Sequence, residues 1–144
     1  MNATTNTALP ANEPILNYAA GSYERLELMK ALDLLKSEYK DIPMVINGLP
    51  ITTDVTVEIS PPYDYKKIIG QYHYASEEEI EFAINSALEA SEKWANTDMH
   101  TRANIFLKAA DLIAKKYRYK INAATMLAQS KNAYQAEIDS ACEL

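Results

Sequence analysis

Few residues in this chain have types that could do chemistry: His73, His100, Cys142, and the carboxylates Glu137, Asp139 and Glu143. Metal binding needs ligands that converge, such as histidines at i, i+4 or closely spaced thiolates and carboxylates. His73 falls in a strand pattern and His100 at a helix start, neither with such a partner, so both read as structural. A nucleophilic cysteine needs a base or a cationic neighbourhood to hold its thiolate. Cys142 has Asp139 and Glu143 beside it instead, and reads as a packed thiol. The run Glu77-Glu78-Glu79-Glu81 is acidic, but it sits where a helix N-terminus favours anions, and reads as a solvated cap. Asp139 and Glu143 stand at i, i+4, where like charges mildly destabilise a helix. Either a wet face tolerates them or a site keeps them. Spacing alone leaves that choice open and yields no complete catalytic constellation.

The element that must position these carboxylates is the last third of the chain, Arg102–Leu144, which reads as near-continuous helix. It finishes without the Gly, Asn, cation or Pro that usually marks a helix end. Glu143 even places an anion at the end of the helix dipole that prefers cations. The chain is therefore expected to be the front of a longer protein, with a frayed natural end as the alternative.

Upstream, residues 1–21 are polar and carry Pro10 and Pro14, which forbid a helix and predict an extended arm. Ser22 is placed as an N-cap with Glu24 in the first turn, and Leu28, Leu32, Leu35 and Tyr39 recur at helical spacing. An amphipathic helix over 23–39 follows, ended by Asp41-Ile42-Pro43. Residues 44–74 change period. Asn47-Gly48 is a hairpin signal, Val55, Val57 and Ile59 alternate as in a half-buried strand, and Pro61-Pro62-Tyr63-Asp64 is a turn. Ile68–Tyr74, interrupted by Gly70, completes a small antiparallel β unit. Ser76 and Glu79 form a capping box, and Asn96-Thr97-Asp98 breaks the helix behind it and caps a helix over 100–117. Phe106, Ala109, Ala110, Ile113 and Tyr117 line one side of that helix; Ile121, Ala124, Thr125 and Ala128 line the next, and the last begins near Ala133. The segment is α+β: an amphipathic helix, the β unit at 44–74, then about four helices.

Composition narrows the function. A net charge of −6 argues against nucleic acid as the main partner, because phosphate binding needs a basic patch. No run reaches the length of a membrane span. The single cysteine excludes an internal disulfide framework and fits a reducing compartment. There is no Lys or Arg before Arg25, which points to the cytoplasm rather than to a secretory or mitochondrial address. Gly21, Gly48 and Gly70 stand far apart, so no glycine-rich phosphate cradle can be written from them.

Asp41-Ile42-Pro43, a short strand, a hairpin, Ser60-Pro61-Pro62 and a helix ending in Lys93-Trp94 together resemble the N-terminal region of aldehyde dehydrogenases. Arg102-Ala103-x-Ile105-Phe106-Leu107-Lys108-Ala109-Ala110-Asp111-Leu112-Ile113 looks like the helix that follows in that superfamily. Ala124-Thr125-Met126-x-x-Gln129-Ser130-Lys131-Asn132-Ala133-Tyr134-Gln135-Ala136-Glu137-Ile138-Asp139 resembles its 1-pyrroline-5-carboxylate dehydrogenase branch, as does Ala11-Asn12-Glu13-Pro14 followed by Gly21-Ser22-x-Glu24-Arg25. The resemblance implies an α/β aldehyde dehydrogenase-like fold. It also implies NAD-dependent oxidation of L-glutamate γ-semialdehyde, the open form of pyrroline-5-carboxylate, to glutamate in proline catabolism. In such proteins the nucleophilic Cys, the base Glu, the oxyanion Asn and the main NAD-binding loops come later in the chain; none of their motifs is present, and Cys142 does not sit in the nucleophile motif. The expected domains are therefore an arm at 1–21 and an incomplete portion of the cofactor-binding domain at 22–144, inactive alone. Glu143 matches a glutamate that borders the aldehyde access route in this branch, so the resemblance implies a substrate-binding role for it. The implied partners are a small aldehyde and, for the complete enzyme, identical subunits, with no nucleic acid or membrane. A truncated paralogue that binds full-length subunits, or the front of another aldehyde dehydrogenase, are the alternatives. The apolar faces at Phe106/Ile113 and Ile121/Ala128 expect partners.

Overall fold

The computed structural model describes residues 12–142, with side chains as far as Ala141. Helix α1 (Tyr23–Ser37) starts where the sequence provides a cap. Ser22 Oγ accepts a hydrogen bond from the Arg25 amide at 3.3 Å, and Glu24 lies in the first turn. Its Leu28 and Leu32 are buried. The helix stops at Ser37 rather than Tyr39, and the stretch expected only to end it becomes a strand, β1 (Lys40–Ile42).

The antiparallel β unit expected over 44–74 is present in two pieces. β2 (Met44–Ile46) and β3 (Leu49–Ile51) form a hairpin. Asn47 (φ 52°) and Gly48 (φ 75°) both adopt the left-handed conformation that a two-residue turn of matching twist requires. β4 (Thr56–Ile59) pairs antiparallel with β5 (Gly70–His73), and β5 pairs on its other edge with β1 in parallel. A parallel pair needs a long crossover, which the hairpin and β4 supply. Gly70 is the residue that permits it: a Cβ there would stand 2.3 Å from the Lys40 carbonyl oxygen.

Helix α2 (Glu77–Asn96) opens on the expected capping box between Ser76 and Glu79. Asp98 caps α3 (Met99–Asp111) by accepting from the Thr101 amide at 3.0 Å. The helix expected over 100–117 ends instead in a π-helical stretch, Leu112–Lys116. α4 (Arg118–Gln129) closes on Ser130, left-handed at φ 56°. α5 (Ala133–Glu137) starts at the expected residue behind a reciprocal Asn132/Gln135 cap and runs into a second π-helical stretch, Ile138–Cys142.

The core lies between α1 and α4, where Leu28 and Leu32 meet Ala123 and Leu127 under the arm residue Tyr18. The buried side of α4 differs from the expected one. Arg118, Asn122, Ala123 and Leu127 face inward, while Ala124 and Ala128 are exposed and Ile121 and Thr125 are half-buried. Two buried polar residues define that side, so a pattern of apolar residues points to the neighbouring one. Ala124 and Ala128 instead line an open apolar cleft of about 150 Å³ with Leu35, Ile42, Ile59 and Ile69. α2 and α3 bury no residue at all; Leu88 is 65% and Phe106 66% exposed. Phe106 belongs to one of the two faces that the sequence predicts to expect partners, with Ile113 half-buried; on the other, Ile121 is half-buried and Ala128 exposed.

Candidate functional site

His73 is buried in β5 and ties that strand to β1 and to the loop between β3 and β4. Its Nδ1 lies 2.9 Å from the Thr53 amide nitrogen and 2.7 Å from the Thr53 carbonyl oxygen, and its Nε2 lies 3.0 Å from Asp41 Oδ1. A hydrogen bond from Gln71 holds the Asp41 carboxyl below its usual range, helped by His73. His100 is exposed on the first turn of α3. Among the described residues no three His, Cys, Asp or Glu side chains stand together as a metal site would require. Asp139 forms an ion pair with Lys131. Glu143 lies outside the described residues, as does the side chain of Cys142, so the packed-thiol reading and the proposed role of Glu143 both rest on sequence.

The carboxylate that the fold brings into a built environment is Glu137. It ends α5, is fully buried, and accepts hydrogen bonds from four residues of two other parts of the chain. Oε1 accepts from the Leu16 amide at 2.9 Å and from Arg118 Nε at 3.1 Å, with Arg118 Nη2 closing a second bond to it. Oε2 accepts from the Tyr18 hydroxyl at 2.5 Å and from Asn122 Nδ2 at 2.7 Å. Arg118 spends its remaining donors on the Pro14 carbonyl at 2.6 Å and the Ala114 carbonyl at 3.2 Å, with Glu13 at 3.5 Å. Asn122 also donates to the Tyr18 hydroxyl at 2.8 Å, and its Oδ1 has no partner among the described residues.

Local sequence explains how these groups meet. Arg118 and Asn122 are i, i+4 on α4 and so share one face. The Asn132/Gln135 cap fixes the start of α5, placing Glu137 one turn in. Pro14 holds the arm extended, and left-handed Tyr18 (φ 51°) turns it toward α1.

Electrostatically the cluster is a closed unit. Burial pushes the Glu137 carboxyl up, but the bonds from Arg118, Tyr18, Leu16 and Asn122 outweigh it and hold it below the usual range. Burial, reinforced by the adjacent carboxylate, raises the Tyr18 phenol well above its ordinary value. Burial disfavours the Arg118 cation, and Glu137 more than restores it. A carboxylate with its lone pairs occupied and no path to solvent cannot abstract a substrate proton. This cluster fastens the arm to α4 and α5; it does not react. Glu137 was visible in the sequence as one of three late carboxylates, but its partners were not. The available signal was a pair of polar residues, Arg118 and Asn122, at i, i+4 and so on one face of α4.

Residues 51–143 match the model of the aldehyde dehydrogenase family. The chain is 45% identical over 135 residues to a delta-1-pyrroline-5-carboxylate dehydrogenase of Agaricus bisporus, covering 93% of this chain and 25% of that protein. It is 40% identical over 141 residues to the human mitochondrial delta-1-pyrroline-5-carboxylate dehydrogenase, covering 97% of this chain and 25% of that one. Among solved structures, the Delta-pyrroline-5-carboxylate dehydrogenase of Mycobacterium tuberculosis bound with NAD superposes with a TM-score of 0.94 at 40% identity, over 99% of this chain and 27% of that one. The chain thus spans about a quarter of the length of the curated relatives it matches.

Proposed function

This chain belongs to the aldehyde dehydrogenase family, and on that premise we propose that it is the front segment of an NAD-dependent dehydrogenase oxidising L-glutamate γ-semialdehyde to glutamate in proline catabolism. The observation that carries the proposal is the 45% identity to a delta-1-pyrroline-5-carboxylate dehydrogenase along 93% of the chain. In this reading residues 1–21 are an arm and 22–144 contribute helices and a β unit to a cofactor-binding domain that later residues complete. The open cleft beside Ala124 and Ala128 and the bare faces of α2 and α3 are where those later residues pack.

The nicotinamide cofactor supplies the hydride acceptor in that chemistry. The residues of this segment do not fit it. Gly48 lies in the hairpin turn and Gly70 in a strand, and Gly21 precedes α1 with no second glycine beside it, so these glycines build no glycine-rich cradle for a pyrophosphate. NAD would be held by the rest of the enzyme, and the segment alone would be inactive. Its own contribution to chemistry is Glu143, whose carboxylate would accept a hydrogen bond from the substrate ammonium group and orient the aldehyde beside the access route. The complete enzyme is proposed to assemble from identical subunits. The cytoplasm is the proposed compartment, in contrast to the mitochondrial address in the human relative's name; fractionation of tagged full-length protein separates the two.

The test is NADH formation by the full-length polypeptide against a panel of aldehydes, with this chain alone in parallel. Oxidation of glutamate γ-semialdehyde in preference to simple aldehydes, by the full-length form only, is expected. Preference for another aldehyde would assign the segment to a different dehydrogenase. Activity of this chain alone would overturn its role as a front segment.

A further inference from the structure

We propose that arm residues Glu13–Tyr18 and the segment Ala133–Cys142 form one cooperative unit joined through Glu137, which makes Glu137 a positioning residue for whatever follows Cys142. Helix α5 has five residues, far below the length at which a helix holds itself in water. The π-helical stretch behind it gives up the ordinary hydrogen-bond ladder as well. The placement of this segment must therefore come from lateral ties. Ala136 and Ala141 are fully buried, which lets the backbone approach its neighbours closely. Thr125 Oγ1 and Ser140 Oγ stand 3.1 Å apart, and Lys131 pairs with Asp139. Ala133 packs against the core, and a further tie is the Glu137 carboxylate, two of whose donors, the Leu16 amide and the Tyr18 hydroxyl, belong to the arm.

Loss of the arm would take both donors away and leave a buried carboxylate short of partners, a state that costs far more than one exposed hydrogen bond. Loss of Glu137 would leave the Leu16 amide without its acceptor and take from Arg118 its buried carboxylate, leaving it the Pro14 and Ala114 carbonyls and Glu13 at 3.5 Å. The arm and the segment consequently order together or loosen together. The consequence for Glu143, the residue directly after Cys142, rests on the substrate role proposed above; the coupling itself rests on the described geometry alone.

The test is hydrogen exchange on the 144-residue chain carrying Tyr18→Phe, which deletes one hydrogen bond and keeps the ring. Exchange of the Leu16 amide and of the amides of 138–142 is expected to rise together by roughly tenfold, the loss of one bond to a charged group, with α2 unchanged. Faster exchange at Leu16 with no change over 138–142 would overturn the coupling. A rise of equal size in every element would overturn it too, because the bond would then report only global stability. In the full-length enzyme, Tyr18→Phe should raise KM for the semialdehyde with little change in kcat, and the effect should vanish in a Glu143→Gln background. Additive effects of the two substitutions would overturn the positioning role. A silent Glu143→Gln would instead sink the substrate role of Glu143 and leave the exchange result to judge the coupling.

Discussion

Replacing Glu137 by Gln keeps the volume of the side chain and removes its charge. Oε1 accepts from the Leu16 amide and takes the shorter Arg118 bonds, so the new amide nitrogen goes to the Oε2 side at the expense of the longer Arg118 Nε bond of 3.3 Å. There it meets Asn122 Nδ2, and relief requires Asn122 to turn its unpartnered Oδ1 inward as an acceptor. Arg118 then keeps Glu13, 3.5 Å away and partly exposed, as its remaining carboxylate. Neutralising one partner of a buried ion pair costs about 3–5 kcal/mol. The two compensations place this substitution at the low end, about 3 kcal/mol. For a chain of 144 residues, an unfolding entropy of about 2 cal/mol/K per residue converts that into a Tm lowered by roughly 10 °C. Scanning calorimetry at neutral pH measures it directly. The companion variant, Arg118→Met with Glu137→Leu, removes both charges and should lose much less than the two single substitutions summed. A Tm drop under about 3 °C for Glu137→Gln, or strict additivity in the double variant, would refute the view that this pair anchors the arm and α5.

The remaining expectations concern pH, packing, catalysis and exposed surface. Because the folded Glu137 carboxyl lies below its ordinary value, its stabilisation is complete above the unfolded value of about 4.3 and is lost as pH falls through the folded one; Tm-versus-pH curves should therefore fall more steeply in acid for the wild type than for Glu137→Gln. The raised Tyr18 phenol has the opposite sign: its contribution is present below about pH 10 and lost as pH rises beyond it, so Tyr18→Phe should flatten the alkaline limb. Gly70→Ala drives a methyl group against the Lys40 carbonyl and should cost about 3 kcal/mol in denaturant unfolding, the upper end for overpacking, since the obstacle is backbone. In the full-length enzyme, Glu143→Gln should lower kcat/KM for the semialdehyde by roughly tenfold or more, the loss of a charge-assisted bond, and unchanged kinetics would dismiss the role. Phe106→Gln with Leu107→Gln should reduce dye binding and self-association of this chain without lowering its Tm, because both side chains are largely exposed on α3.

What could be read from the sequence was local. Ser22, Ser76 with Glu79, and Asp98 each satisfy a helix start within three residues, so those starts were legible. Asn47-Gly48 imposed its hairpin for the same reason. What escaped was set by distant partners. Lys40–Ile42 became a strand because β5, thirty residues on, offered a parallel edge through Gly70. The inward side of α4 escaped because Arg118 and Asn122 are buried by Glu137 and Tyr18, groups no apolar pattern can show. The two π-helical stretches carry no cap or breaker in the sequence to announce them. For the candidate site, the acidic cluster at 137–143 was conspicuous, yet spacing could not separate Glu137, which is locked away, from Asp139, which pairs with Lys131.

The most direct test of the central claim is the nucleotide sequence downstream of the Leu144 codon. The account predicts an uninterrupted frame of several hundred codons, as the relatives' roughly fourfold greater length implies, carrying a glycine-flanked cysteine and a glutamate base motif. A stop codon directly after Leu144 would contradict it and would favour the reading of a truncated paralogue that binds full-length subunits.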